Sequence, residues 1–119
     1  METQIKKLDA KALDMNVIAE AGRVLREGGL VAFPTETVYG LGGDALNPAS
    51  SEKIYAAKGR PSDNPLIVHI AREEDVYRIA AKVPKEAKGL MEAFWPGPLT
   101  LIFPKTDLVP GKTTGGLAT

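Results

Sequence analysis

Three apolar runs organise the chain: Leu30-Val31-Ala32-Phe33, Leu66-Ile67-Val68-His69-Ile70 and Leu99-Thr100-Leu101-Ile102-Phe103. Each follows a segment of helical character, and Pro34 and Pro104, which have no N–H to offer a ladder, stop the first and the third. From Asp14 as N-cap, Ile18, Ala21, Gly22 and Leu25 recur at helical spacing up to Gly28-Gly29, which predicts a helix over residues 15–27. Asn47-Pro48, a cap followed by a first-turn proline, opens a second helix from Pro48 to Lys58, expected to bury Ile54 and Ala57 with Tyr55 at its margin. Arg72 to Ala80 reads as a short charged helix on a solvated face. Pro84 starts another, whose Ala87, Leu90, Met91 and Phe94 form an apolar stripe of core character. Trp95 reads as a core plug before the Pro96-Gly97-Pro98 turn. The first run is all apolar, the pattern of a strand buried on both faces, and helices alternating with such strands make a layered α/β or α+β fold. Residues 1–13, with Ile5 and Leu8 among charges, suit a short edge strand followed by a loop.

Between the second helix and the second run lies Lys58-Gly59-Arg60-Pro61-Ser62-Asp63-Asn64-Pro65-Leu66. Pro61 and Pro65 restrict their own φ and push Arg60 and Asn64 towards extended backbone, so polar side chains are presented from a stiff loop. An ammonium and a planar guanidinium two residues apart, with Ser62 and Asn64 beside them, suit a phosphate or carboxylate. The same residues also suit a plain helix exit, with Gly59 at the cap and the cations complementing the C-terminal dipole. The residues alone leave both readings open.

Composition narrows what such a loop can serve. A chain of 119 residues holds one domain, and 44% apolar with 25% charged residues is ordinary for a globular protein. Fifteen basic and fifteen acidic residues give a formal net charge of zero, so no whole-molecule field draws the chain to nucleic acid or to anionic lipid, and any polyanion site is local. The absence of cysteine removes disulfides, thiolate metal sites and cysteine nucleophiles and favours a cytoplasmic setting. With one histidine there is no histidine-rich metal site, so no metal ligands are assigned. No signal peptide and no membrane span is expected.

Two glycine patterns are set aside. Gly40, Gly42 and Ala45 fit a relaxed dinucleotide fingerprint, but the preceding run ends at Pro34 and the next helix opens only at Asn47-Pro48, so tight packing is the better reading of the glycines. Gly111-Lys112-Thr113 resembles the end of a P-loop, but Thr106 stands where its first glycine is needed.

Three blocks, Pro34-Thr35-Glu36-Thr37-Val38-Tyr39-Gly40-Leu41, then Lys58 to Leu66 with His69, then Trp95-Pro96-Gly97-Pro98-Leu99-Thr100, together resemble the YrdC-type threonylcarbamoyl-adenylate synthases in order and spacing. The resemblance covers roughly Asp14 to Thr119 and implies a twisted open mixed sheet with flanking helices, incomplete in this chain, which would be the N-terminal part of one catalytic domain. It implies that L-threonine, bicarbonate and ATP give threonylcarbamoyl-AMP and pyrophosphate, with Mg²⁺ carried by the nucleotide. The product would pass to partner proteins that modify an adenosine in tRNA. Thr37 and His69 match the family's threonine-contacting positions. Lys58, Arg60, Ser62 and Asn64 match its nucleotide signature, with Lys58 and Arg60 as the catalytic cations, and Thr119 matches a further nucleotide contact.

Two rival functions fit parts of the pattern: a carbamoyl-adenylate transfer domain of hydrogenase-maturation type, and a non-catalytic double-stranded RNA or tRNA binding module, against which the zero net charge argues. If the sheet is incomplete, the isolated chain is expected to self-associate through an unpaired edge or to be marginally folded, and to bind threonine or nucleotide weakly without turnover.

Overall fold

The Asp14 carboxylate accepts a hydrogen bond from the Asn16 amide at 2.9 Å, and this cap starts α1, Met15–Arg26, in the computed structural model of the protein, which describes residues 2–119. Gly28, at φ 83°, ends it as the glycine pair predicts: its N–H donates to Leu25 and that of Gly29 to Val24 at 2.8 Å. The chain then forms β1, Val31–Phe33, and β2, Gly40–Gly42, paired antiparallel with Val31 opposite Gly42 and Phe33 opposite Gly40. The expectation that the first run is buried on both faces is not met: Val31 and Phe33 are half-buried and Ala32 is exposed. Its partner is a hairpin strand of two glycines and a leucine, with little side chain to cover it. The glycines instead make room for an aromatic ring, since a Cβ on Gly42 would lie 2.8 Å from Phe33 and one on Gly40 3.3 Å from it, which is the packing role expected of them. Nor is there an edge strand before α1 among the described residues; Asp9 and Ala12 form only an isolated bridge about a turn. These elements make up one compact unit, Met1–Asp44, and the rest of the chain makes up a second, Ala45–Thr119.

In the second unit Asn47 accepts a hydrogen bond from the Ala49 amide at 3.0 Å and starts α2, Pro48–Lys58, which buries Ser50, Ser51, Ile54 and Tyr55. Ala57, expected inside, is exposed, because the buried face carries two serines in place of a simple apolar stripe. The charged segment forms a single 3₁₀ turn, Glu73–Asp75, running into α3, Val76–Ile79. There Arg72 meets Asp75 at 3.2 Å, and its hydrogen bond holds the Asp75 carboxyl below the usual carboxylate range; a pair this exposed contributes little. The last helix, α4, is Lys85–Phe94.

Val76, Ala80 and Met91 form the centre of a small core, with Ile70, Val83, Trp95, Leu101 and Phe103 packed against it. Trp95 is the plug the sequence suggests, and its indole N–H donates to the Leu99 carbonyl at 2.8 Å. Of the α4 stripe only Met91 is fully buried; Leu90 and Phe94 are exposed. The second and third apolar runs are not ladder strands. Their side chains do alternate, Leu66, Val68 and Ile70 turned inward against exposed Ile67 and His69, and Leu99, Leu101 and Phe103 against exposed Thr100 and Ile102. A strand, however, is defined by a hydrogen-bonded neighbour, and among the described residues the only pairing near them is an isolated bridge between Ala80 and Lys105. The class is α/β, with a sheet among the described residues of two strands. No helix among them is long and apolar enough to cross a membrane.

Met91→Ala is expected to lower the unfolding free energy by about 2–4 kcal/mol through lost transfer energy and a residual cavity, and Phe94→Ala to change it by under about 0.5 kcal/mol as a surface site. Urea unfolding of both variants checks this, and similar losses at the two positions would contradict the core described here.

Candidate functional site

The cation loop begins where α2 runs out. Gly59 caps the helix in the left-handed region, φ 59° and ψ 27°, a conformation that costs any residue with a Cβ. Lys58, the last helical residue, is exposed, and none of the salt bridges among the described residues involves it. The helix-exit reading is therefore realised in the backbone. It does not exclude the anion reading, because a helix that ends at a glycine also leaves its terminal side chain in solvent.

Arg60 turns back on the loop. Its Nη2 donates to Asn64 Oδ1 at 2.9 Å and to the Pro65 carbonyl at 2.8 Å, while Nε reaches the Asn64 carbonyl at 3.3 Å. The Asn64 amide N–H bonds the Pro61 carbonyl at 3.1 Å, closing a turn inside the arc. A guanidinium has five N–H donors, and these three bonds leave the two on Nη1 for a ligand. Arg60 thus braces the loop with one edge of its fork. Asn64 has its side-chain oxygen engaged by Arg60, so the donors on its Nδ2 are what it has to offer a ligand. Ser62 is exposed at the tip.

His69 lies on the outward face of the second run, and its Nδ1 is 3.0 Å from the Ile67 carbonyl. A carbonyl only accepts, so Nδ1 carries a proton in that contact. In the first unit, Thr37 is held in the connection between β1 and β2. Thr35 Oγ1 accepts from the Thr37 amide at 3.2 Å, donates to the Val38 carbonyl, and lies 3.4 Å from Thr37 Oγ1. Thr37 is exposed. The structure thus brings Lys58, Arg60, Ser62 and Asn64 into one loop, with His69 five residues beyond its last member. Thr119 is exposed at the last position, beside Ala118, whose carbonyl accepts from the Lys105 amide at 3.0 Å.

Residues that brace this loop escaped sequence reasoning. The Leu66 amide donates to the Thr113 carbonyl at 3.0 Å. Gly115, at φ 62°, sits so close that a Cβ there would be 2.7 Å from the Asp63 carbonyl oxygen. The signal was present in the glycine- and threonine-rich turn Gly111 to Gly116, but buried threonines in a polar turn look like solvated ones in a sequence.

The family model described as telomere recombination, the Sua5/YciO/YrdC domain, matches residues 23–119. The threonylcarbamoyl-AMP synthase of Pyrococcus abyssi is 57% identical over 99 residues, which cover 83% of this chain and 29% of that protein. The enzyme of the same name from Bacillus subtilis is 56% identical over 103 residues, 86% of this chain and 30% of that one. The chain thus spans under a third of the length of these two curated relatives. Among solved structures, P. abyssi Sua5 complexed with L-threonine superposes with a TM-score of 0.87 at 52% identity, over 90% of this chain and 32% of that one.

Gly59→Ala is expected to cost about 1–2 kcal/mol of stability from the left-handed backbone alone, because nothing lies within 4 Å of the added methyl. Gly59→Asn is expected to cost less, since asparagine tolerates that region. Urea midpoints test the pair; an alanine variant as stable as the parent would mean that the loop does not leave α2 through this conformation.

Proposed function

This chain belongs to the Sua5/YciO/YrdC family, and on that premise we propose that it provides the cation loop and threonine contacts of a threonylcarbamoyl-AMP synthase, the nucleotidyltransferase step of tRNA threonylcarbamoyladenosine formation. The observation that carries the reading is the 57% identity to an enzyme of that name, joined to a loop in which Lys58 is exposed and the three hydrogen bonds of Arg60 use only its Nε and Nη2. In this reading the neutral amine of L-threonine forms a C–N bond to bicarbonate with loss of water, or to CO₂ derived from it with loss of a proton, and gives a carbamate. The resulting carbamate oxygen then attacks the α-phosphorus of ATP, forming a P–O bond as the bond to pyrophosphate breaks.

No side chain acts as a covalent nucleophile. The cations hold phosphate oxygens and stabilise the charge that moves to the leaving pyrophosphate; Ser62 and Asn64 Nδ2 give neutral hydrogen bonds, and Thr119 is a further nucleotide contact. Thr37 and His69 each contribute a contact to L-threonine, so that the enzyme works by positioning the reactants. Mg²⁺ arrives on the phosphates as part of the substrate. The product passes to tRNA-modifying partner proteins in the cytoplasm.

Pyrophosphate release with ATP, L-threonine and bicarbonate, measured on this chain and on a version extended past Thr119, tests the reading. Arg60→Ala is expected to lose about a hundredfold in the more active form, or roughly 2–4 kcal/mol of transition-state stabilisation. Arg60→Lys is expected to rescue poorly, since a point charge neither braces the loop nor forks around an anion. An alanine variant releasing pyrophosphate at the parent rate would overturn the assignment. Thr37→Val is expected to weaken threonine by about 1–3 kcal/mol, the cost of an unpaired polar group, while leaving ATP nearly unaffected; equal weakening of both substrates would make Thr37 structural.

A further inference from the structure

Beneath the cation loop lies a row of buried hydroxyls for which the reaction above has no use. Thr113 and Ser51 are each 1% exposed. Thr113 Oγ1 is 2.7 Å from Ser51 Oγ and also 2.7 Å from the Ala45 carbonyl oxygen. A carbonyl can only accept, so the single Thr113 hydroxyl proton goes to Ala45, and Ser51 must be the donor to Thr113. The order of donation, Ser51 to Thr113 to Ala45, is therefore determined by chemistry.

This relay connects the two ends of the loop. Ser51 stands on α2, the helix that delivers Lys58. The Thr113 carbonyl accepts from Leu66, where the loop ends, at 3.0 Å. Two residues on, Gly115 meets the loop's middle: a Cβ there would lie 2.7 Å from the Asp63 oxygen and 3.2 Å from the Pro65 nitrogen. The turn holding both residues is closed by the Gly116 amide on the Gly111 carbonyl at 2.8 Å and by the Thr114 hydroxyl on the Leu117 carbonyl at 2.8 Å.

We propose that Thr113 and Gly115 are positioning residues for the anion loop: the buried hydroxyl relay fixes the Gly111–Leu117 turn against α2, and the turn sets the height and exit of the Lys58–Leu66 loop. Neither residue touches the anion. This role rests on the reading of the loop as an anion site, and its own structural consequence, the protection of the Leu66 amide, can be read without any ligand.

The test uses the chain as it is, with inorganic pyrophosphate as probe, amide exchange at Leu66 as the readout of loop geometry, and Met91→Ala as a control that destabilises the separate core around Val76. Thr113→Val removes the relay, and is expected to speed Leu66 exchange and to weaken pyrophosphate about tenfold, as for a lost buried hydrogen bond. Thr113→Ser keeps the hydroxyl and is expected to restore both readouts. Gly115→Ala leaves the hydroxyls in place but pushes on Asp63, so it is expected to weaken pyrophosphate as Thr113→Val does, and it stands in if that variant does not fold. Met91→Ala is expected to lower the unfolding midpoint with pyrophosphate affinity unchanged. Parent-like Leu66 exchange and pyrophosphate affinity in Thr113→Val, or an equal loss of affinity in Met91→Ala, overturns the positioning role. If the parent and Arg60→Ala bind pyrophosphate equally, the anion-site reading fails, and Leu66 exchange in Thr113→Val alone still decides whether Thr113 sets the loop.

Discussion

The brace that Arg60 makes across its own loop is the contact on which the candidate site depends. Pro61 and Pro65 remove two amide donors from the segment, so the loop cannot hold itself by an ordinary ladder of backbone bonds. The guanidinium supplies the missing donors, reaching Asn64 Oδ1 and the Pro65 carbonyl through a single nitrogen at 2.9 and 2.8 Å. A lysine in that place would offer charge without the planar fork that spans two acceptors. The residue proposed to bind an anion is thus also the one that shapes its loop, and the two roles would fall on different nitrogens: Nη2 and Nε are spent on the loop, which leaves Nη1 for a ligand.

The loop is secured from below by contacts of very different weight. The Lys112–Glu52 ion pair at 3.1 Å ties the Gly111–Leu117 turn to α2, but both its side chains are more than half exposed, and such pairs contribute little after solvent screening and side-chain entropy. The Ser51–Thr113–Ala45 relay joins the same elements inside the protein, where a hydroxyl deprived of its partner costs about 1–3 kcal/mol. The buried neutral contacts, not the visible ion pair, therefore hold the turn. Two other buried hydroxyls, on Ser50 and Tyr55, have no hydrogen-bond partner among the described residues.

Local chemistry was legible in the sequence wherever a residue acts on its own neighbours. Asp14 and Asn47 as caps, the left-handed glycines at the ends of α1 and α2, the plug at Trp95 and the loop character of Lys58 to Leu66 all follow from rules that span a few residues. The segments at Leu66 and Leu99 were legible as apolar runs, and the alternation of their side chains was seen only in the structure. Whether they are ladder strands depends on a partner elsewhere in space, which a run's own composition cannot state. The misplacement of Ala57 and the overestimate of the α4 stripe have a common cause: helical spacing identifies a face, but how much of it is covered is decided by what packs there. Within the site, the four loop residues were evident as a cluster. Thr113 and Gly115 were not, because the loop they contact lies far back in the chain, at Leu66 and Asp63.

The central claim is that the Lys58–Leu66 loop takes the phosphates of a nucleotide. Amide chemical-shift mapping of the chain with ATP and, separately, with adenosine tests it most directly. The account predicts that Lys58 to Asn64 move on addition of ATP and stay in place with adenosine. Equal shifts with both ligands, or shifts with ATP that leave this loop untouched, would contradict it.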